Sequence, residues 1–126
     1  MTSIYPVFRY RDARAAIDFL VEAFGFERHA AYEGDDGIIH HAELRLGEDY
    51  IMLGQISEGT PDTPPRGAVY IAVEDPDGLH DRAKAAGAEI TRGLTDQDYG
   101  SREFGAKDPE GNAWSFGTYK PSAAAS

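Results

Sequence analysis

Asp12-Ala-Arg-Ala-Ala-Ile-Asp-Phe-Leu, followed after the helix by Gly25-Phe26-Glu27, and Asp75-Pro-Asp-Gly-Leu-His-Asp-Arg-Ala, followed by Gly87-Ala88-Glu89, are two copies of one pattern. In each copy an aspartate opens a helix, a glycine closes it and a short apolar strand follows. An aspartate carboxylate accepts from the free N–H groups of a first helical turn. Glycine reaches the left-handed conformation that ends a helix. In the first copy Ile17, Leu20, Val21 and Phe24 recur at helical spacing, and in the second Leu79, Ala83 and Ala86 do so. Pro76 falls in the first turn of the second helix, where its missing N–H costs nothing.

The pattern extends on both sides of each helix. Ile4–Tyr10 reads as a strand, with Pro6 placing it at an edge. Phe26–Glu33 reads as a strand, Gly34–Gly37 as a turn, and Ile38–Leu46 as a strand in which Ala42, Leu44 and Leu46 share one face and His41, Glu43 and Arg45 the other. Gly47-Glu-Asp49 turns the chain into a strand at Tyr50–Gly54. The second copy repeats the order. Ala68–Glu74 is a strand, Ala88–Arg92 a short strand, and Gly93–Gly100 a polar loop. Ser101–Lys107 and Ala113–Tyr119 form a hairpin around Asp108-Pro-Glu-Gly-Asn112. Module one therefore covers about residues 3–54, a linker rich in Gly and Pro covers 55–67, module two covers 68–119, and 120–126 is a tail. Modules of about sixty residues bury too little surface alone, so the two form one domain with a cleft suited to a small molecule.

Composition narrows the function. The chain has 126 residues, 41% of them hydrophobic, no cysteine and a net charge of −10. Disulfides, thiolate metal sites and cysteine nucleophiles are excluded. A surface of this sign repels nucleic-acid backbones and anionic membranes, and it is compatible with a cationic ligand. No apolar stretch approaches the roughly 20 residues of a membrane span. The N-terminus lacks the basic and apolar regions of a signal peptide, and a cytoplasmic location is expected.

The doubled order of strand, helix and three strands, with Asp12–Phe19, Glu43-Leu-Arg-Leu-Gly47 and Tyr99-Gly-Ser-Arg102 through Asp108-Pro-Glu-Gly-Asn-Ala-Trp-Ser-Phe-Gly117, resembles the vicinal oxygen chelate superfamily of glyoxalases, bleomycin-resistance proteins and extradiol dioxygenases. The resemblance covers about residues 3–119 and is strongest to the glyoxalase-like and bleomycin-resistance-like branch. It implies an α+β fold of two tandem βαβββ modules whose curved mixed sheets surround a cleft. It also implies a homodimer with clefts built from both chains. Metal-using members place a His, Glu or Gln on the first and last strand of each module. Carried over, those positions are Tyr5, Met52, Ala68 and Ser115, a poor set for a divalent ion, which prefers imidazole and carboxylate.

On this parity Tyr5, Val7, Met52, Ala68, Tyr70, Ala72 and Ser115 line the cleft. Ile4, Phe8, Ile51, Leu53, Val69, Ile71, Val73, Trp114 and Phe116 pack beneath the helices. Tyr99 and Arg102, on the polar loop, form a rim; the plainer role for Arg102 is a surface ion pair. His41 and Glu43 point to one face of their strand and offer two ligands for a displaced metal, with no third partner evident; a polar His–Glu–Arg ladder is the structural alternative. His29 and His80 stand alone. The leading expectation is a small-molecule-binding protein with no metal and no cofactor, holding a cationic or aromatic ligand at Tyr5, Val7, His41, Glu43, Met52, Tyr70, Tyr99, Arg102 and Ser115. The rivals are a metal-dependent lyase or dioxygenase using His41 and Glu43, and a protein-interaction module.

Overall fold

The computed structural model describes residues 4–56 and 67–121. Ten elements follow one another: β1 (Val7–Tyr10), α1 (Ala13–Phe24), β2 (Glu27–Glu33), β3 (Ile39–Leu46), β4 (Asp49–Gln55), β5 (Ala68–Ala72), α2 (Pro76–Ala85), β6 (Glu89–Asp96), β7 (Arg102–Lys107) and β8 (Ala113–Gly117). The two caps act as their sequence suggests. Asp12 accepts from the N–H of Ala15 at 3.0 Å and Asp75 from that of Gly78 at 3.1 Å. Gly25 and Gly87 follow the helices with φ of 83° and 90°, a region closed to most side chains.

The strands form two four-stranded sheets, ordered β1-β4-β3-β2 and β5-β8-β7-β6. In each sheet the first strand runs parallel to the last and the other pairs are antiparallel. The registers correspond. Val7 lies beside Met52 in the first sheet as Tyr70 lies beside Ser115 in the second, at the same sequence offset that relates Asp12 to Asp75. This is an α+β fold of two tandem βαβββ modules.

One core serves both modules. Phe8 of β1 stacks on Trp114 of β8 with ring centroids 5.1 Å apart, and Phe24 of α1 meets Trp114 and Phe116 at 5.3 and 4.9 Å. Arg82 of α2 donates to the carbonyls of Val21 and Glu22 at the end of α1, where the helix presents unsatisfied acceptors and partial negative charge. The buried Tyr10 hydroxyl donates to Asp108 at 2.6 Å. Asp108 also accepts from the N–H groups of Glu110 and Asn112, the Asn112 amide and the Trp114 indole. The DPEGN hairpin is thus organised by a buried carboxylate that binds the two modules together. Burial, and then the bond to Asp108, pushes the Tyr10 phenol far above its ordinary pKa.

Several expected boundaries shift. β1 begins at Val7, not Ile4, and Ile4 is 90% exposed instead of packing beneath a helix. β6 runs on to Asp96 through irregular register between Ile90 and Thr95, so the first half of the expected 93–100 loop is strand. Its bulges explain why Gly93 did not end it. Most of the expected linker (57–66) and of the tail (122–126) lies outside the described residues.

Candidate functional site

Alternation along the strands decides which side chains reach the outward faces. Phe8, Ile51, Leu53, Trp114 and Phe116 turn into the core, as their parity predicts. Val7, Met52, Tyr70 and Ser115 therefore point to the opposite sides of their sheets. Because the modules meet through their inner faces, the two outward faces do not face each other. The structure does not bring all of the expected cleft residues to one cavity. Tyr70, Tyr99 and Ser115 come together, while Tyr5, Val7, His41, Glu43 and Met52 belong to the other module.

The outward face of module two holds a cavity of about 700 Å³ lined by Ala68, Val69, Tyr70, Arg92, Tyr99, Glu103, Ser115, Tyr119 and Pro121. Its polar centre is Glu103, on β7 directly opposite Gly117 of β8. Glu103 is only 6% exposed. The Tyr99 hydroxyl donates to its Oε1 at 2.9 Å, and an Arg92 guanidinium nitrogen lies 3.7 Å from the same oxygen. The bond to Glu103, then desolvation, raises the Tyr99 pKa. The Tyr70 hydroxyl donates to the carbonyl of Tyr119 at 2.8 Å, and the Tyr99 and Tyr119 rings meet edge to face at 5.8 Å. Sequence reasoning missed Glu103, Arg92 and Tyr119. A signal existed for the first: Glu103 and Gly105 share a face of the strand that pairs with Ser115.

Arg102 is not on this rim. Its guanidinium donates to Asp77 at 2.6 and 3.2 Å and to Asp96 at 3.2 Å, which ties the start of α2 to β6 and β7. Arg102 in turn holds the Asp77 carboxyl below its ordinary range. Its surface ion pair is the structural alternative seen in the sequence.

On module one, Val7, Met52 and Glu43 lie side by side across β1, β4 and β3. His41 contacts Glu43 at 3.0 Å, and His29, which the sequence left alone, reaches the other oxygen of Glu43 at 3.9 Å while its ring meets Tyr50. Arg45 pairs with Glu27 instead of completing a His–Glu–Arg ladder. His80 is mostly covered, lies edge-on to Phe104 and pairs with Asp81, so it too has neighbours that the sequence did not show.

Tyr5, Met52, Ala68 and Ser115 offer no imidazole and no carboxylate, and Ala68 offers no donor at all. The residues at these positions do not fit a divalent metal. Among the described residues no group of three or more His, Asp or Glu side chains is arranged to hold one elsewhere. No helix among the described residues is long and apolar enough to cross a membrane.

Paired βαβββ modules of this order define the vicinal oxygen chelate class. The chain belongs to the Glyoxalase/Bleomycin resistance protein/Dioxygenase superfamily, whose family model matches residues 4–116. It is 36% identical over 115 residues to the uncharacterized protein Rv0887c of Mycobacterium tuberculosis, covering 84% of this chain and 68% of that protein. It is similar to the crystal structure of TioX from Micromonospora sp. ML1, with 31% identity, a TM-score of 0.79 and coverage of 94% of this chain and 100% of the other. Lactoylglutathione lyase from Agrobacterium tumefaciens shares the fold at 18% identity, with a TM-score of 0.70 and coverage of 93% of each chain.

Proposed function

We propose that the protein binds a small aromatic or cationic molecule in the module-two cavity without a divalent metal. One observation carries this reading: the cavity is walled by three tyrosines around Glu103, while the superfamily's metal positions hold Tyr5, Met52, Ala68 and Ser115. Apolar walls with a few placed polar groups, in a volume of about 700 Å³, suit a ligand of drug size. A homodimer completes the site in this reading. β1 and β5 are edge strands, each paired on one side only, and Tyr5 and Val7 are exposed beside the first edge. A second copy would cover these edges and bring module one's outward face over the cavity. A cysteine-free, acidic chain suits a dissolved role in a reducing compartment such as the cytoplasm.

The test is metal analysis of untagged protein, followed by a thermal-shift screen of aromatic and cationic compounds with and without chelator. Stabilisation that chelator leaves unchanged is the expected result. Stoichiometric zinc, iron or manganese overturns it, and metal lost on His41→Ala would instead support an enzyme using His41 and Glu43. Sedimentation that shows only monomer removes the dimer.

A further inference from the structure

We propose that Glu103 is the anchor for a planar organic cation, an amidinium or guanidinium, and that Arg92 holds that place until the ligand arrives. This rests on the reading of the cavity given above and names what the cavity recognises.

The carboxylate is placed with care. A Cβ on Gly117 would lie 2.5 Å from Cγ of Glu103 and 2.8 Å from the Tyr70 hydroxyl, so glycine keeps this ground clear for both side chains. Glu103 accepts the Tyr99 hydroxyl on Oε1, while its Oε2 has no hydrogen-bond partner among the described residues. Every fully enclosed side-chain nitrogen and oxygen among those residues is satisfied, so Oε2 is not fully enclosed, and Glu103 lines the cavity. A carboxylate this buried is costly without a close counter-charge.

Arg92 supplies only part of that charge. At 3.7 Å its nitrogen is beyond hydrogen-bond distance of Oε1, and its side chain is 46% exposed. A tethered guanidinium that stops short of the carboxylate indicates the chemistry the site accepts. A free amidinium entering from the cavity would bond Oε2, displace Arg92 to solvent and lie among the rings of Tyr70, Tyr99 and Tyr119. The net charge of −10 would draw such a cation in.

The experiment is a titration of the full-length protein with benzamidinium, the neutral benzamide and the anionic benzoate, followed by the tyrosine ring resonances. Benzamidinium is expected to bind about tenfold or more tightly than either other probe. Glu103→Gln should reduce it to the level of benzamide, and Arg92→Gln should tighten it several-fold. The comparison of three probes on the unaltered protein holds even if Glu103→Gln does not fold. Equal binding of benzamidinium and benzamide overturns the anchor and leaves the cavity reading intact. Preference for benzoate overturns it in favour of Arg92 as an anion site. Weaker benzamidinium binding by Arg92→Gln removes the place-holding role. No response to any of the three sinks both readings.

Discussion

Gly117 and Glu103 face each other across the β7–β8 ladder, and the absence of a side chain on one is what seats the carboxylate of the other. Adding a single methyl group there should therefore disturb the site more than the fold. Gly117→Ala is expected to push Glu103 and the Tyr70 hydroxyl aside and to lose benzamidinium binding, at a stability cost of about 1–3 kcal/mol for local overpacking. Binding that survives unchanged, with shifts confined to β8, would show that the carboxylate does not need this seat.

Two aromatic residues on adjacent strands of one sheet should behave oppositely. Trp114 is fully buried, stacks on Phe8 and donates to Asp108. Trp114→Ala should lose about 3–5 kcal/mol in urea unfolding. Tyr70 is 37% exposed and its hydroxyl reaches only a surface carbonyl. Tyr70→Ala should cost about 1 kcal/mol or less while weakening ligand binding. A larger stability loss at Tyr70 would mean that the inward and outward faces are exchanged.

The link between modules runs through Tyr10 and Asp108. Tyr10→Phe keeps the ring but removes a buried bond to a carboxylate, and should cost about 1.5–3 kcal/mol. It should also change the alkaline limb. The folded phenol titrates above its unfolded value, so the stability it supplies is complete below about pH 10 and is lost as pH rises beyond it. Denaturation followed between pH 8 and 11 should show a steeper fall for the unaltered protein than for Tyr10→Phe.

The acid limb depends in part on the exposed pair of Asp77 and Arg102. Arg102 depresses the Asp77 pKa, so the pair contributes above the unfolded carboxyl value of about 4 and fades as pH falls through the lower folded value. Arg102→Met should make the melting temperature less sensitive to pH between about 4 and 2. An unchanged acid slope would show that solvent screens the pair completely.

Much of this protein is written locally. Two capping aspartates and two closing glycines mark the helices, because a cap acts within one turn of chain. Strand alternation separated Phe8, Leu53, Trp114 and Phe116 from the outward residues, because side chains on a strand must alternate. Tyr70 and Ser115 fall on the outward face on the same grounds, and Tyr99 was expected at a rim from its polar loop; the structure places all three around one cavity. The mismatch at the superfamily's metal positions was legible too, since it needs only the identity of Tyr5, Met52, Ala68 and Ser115.

What the chain could not reveal on its own depends on how the two modules sit together. Packing through Phe8, Phe24 and Trp114 turns the outward faces apart, so Val7, Glu43 and Met52 leave the cavity that Tyr70 and Ser115 form. The partners of Arg102 and His29 are likewise matters of distance in space: Asp77 and Asp96 claim one, and Glu43 draws near the other. Glu103 becomes a site residue only when β7 pairs with β8 and brings it over Gly117, beside a tyrosine and an arginine from elsewhere in the chain. Sequence by itself determined the repeat and the order of the elements, because those follow from residue type and spacing. Tertiary structure decided which faces meet and which carboxylate the cavity encloses, because burial and proximity arise only when distant strands pair and pack.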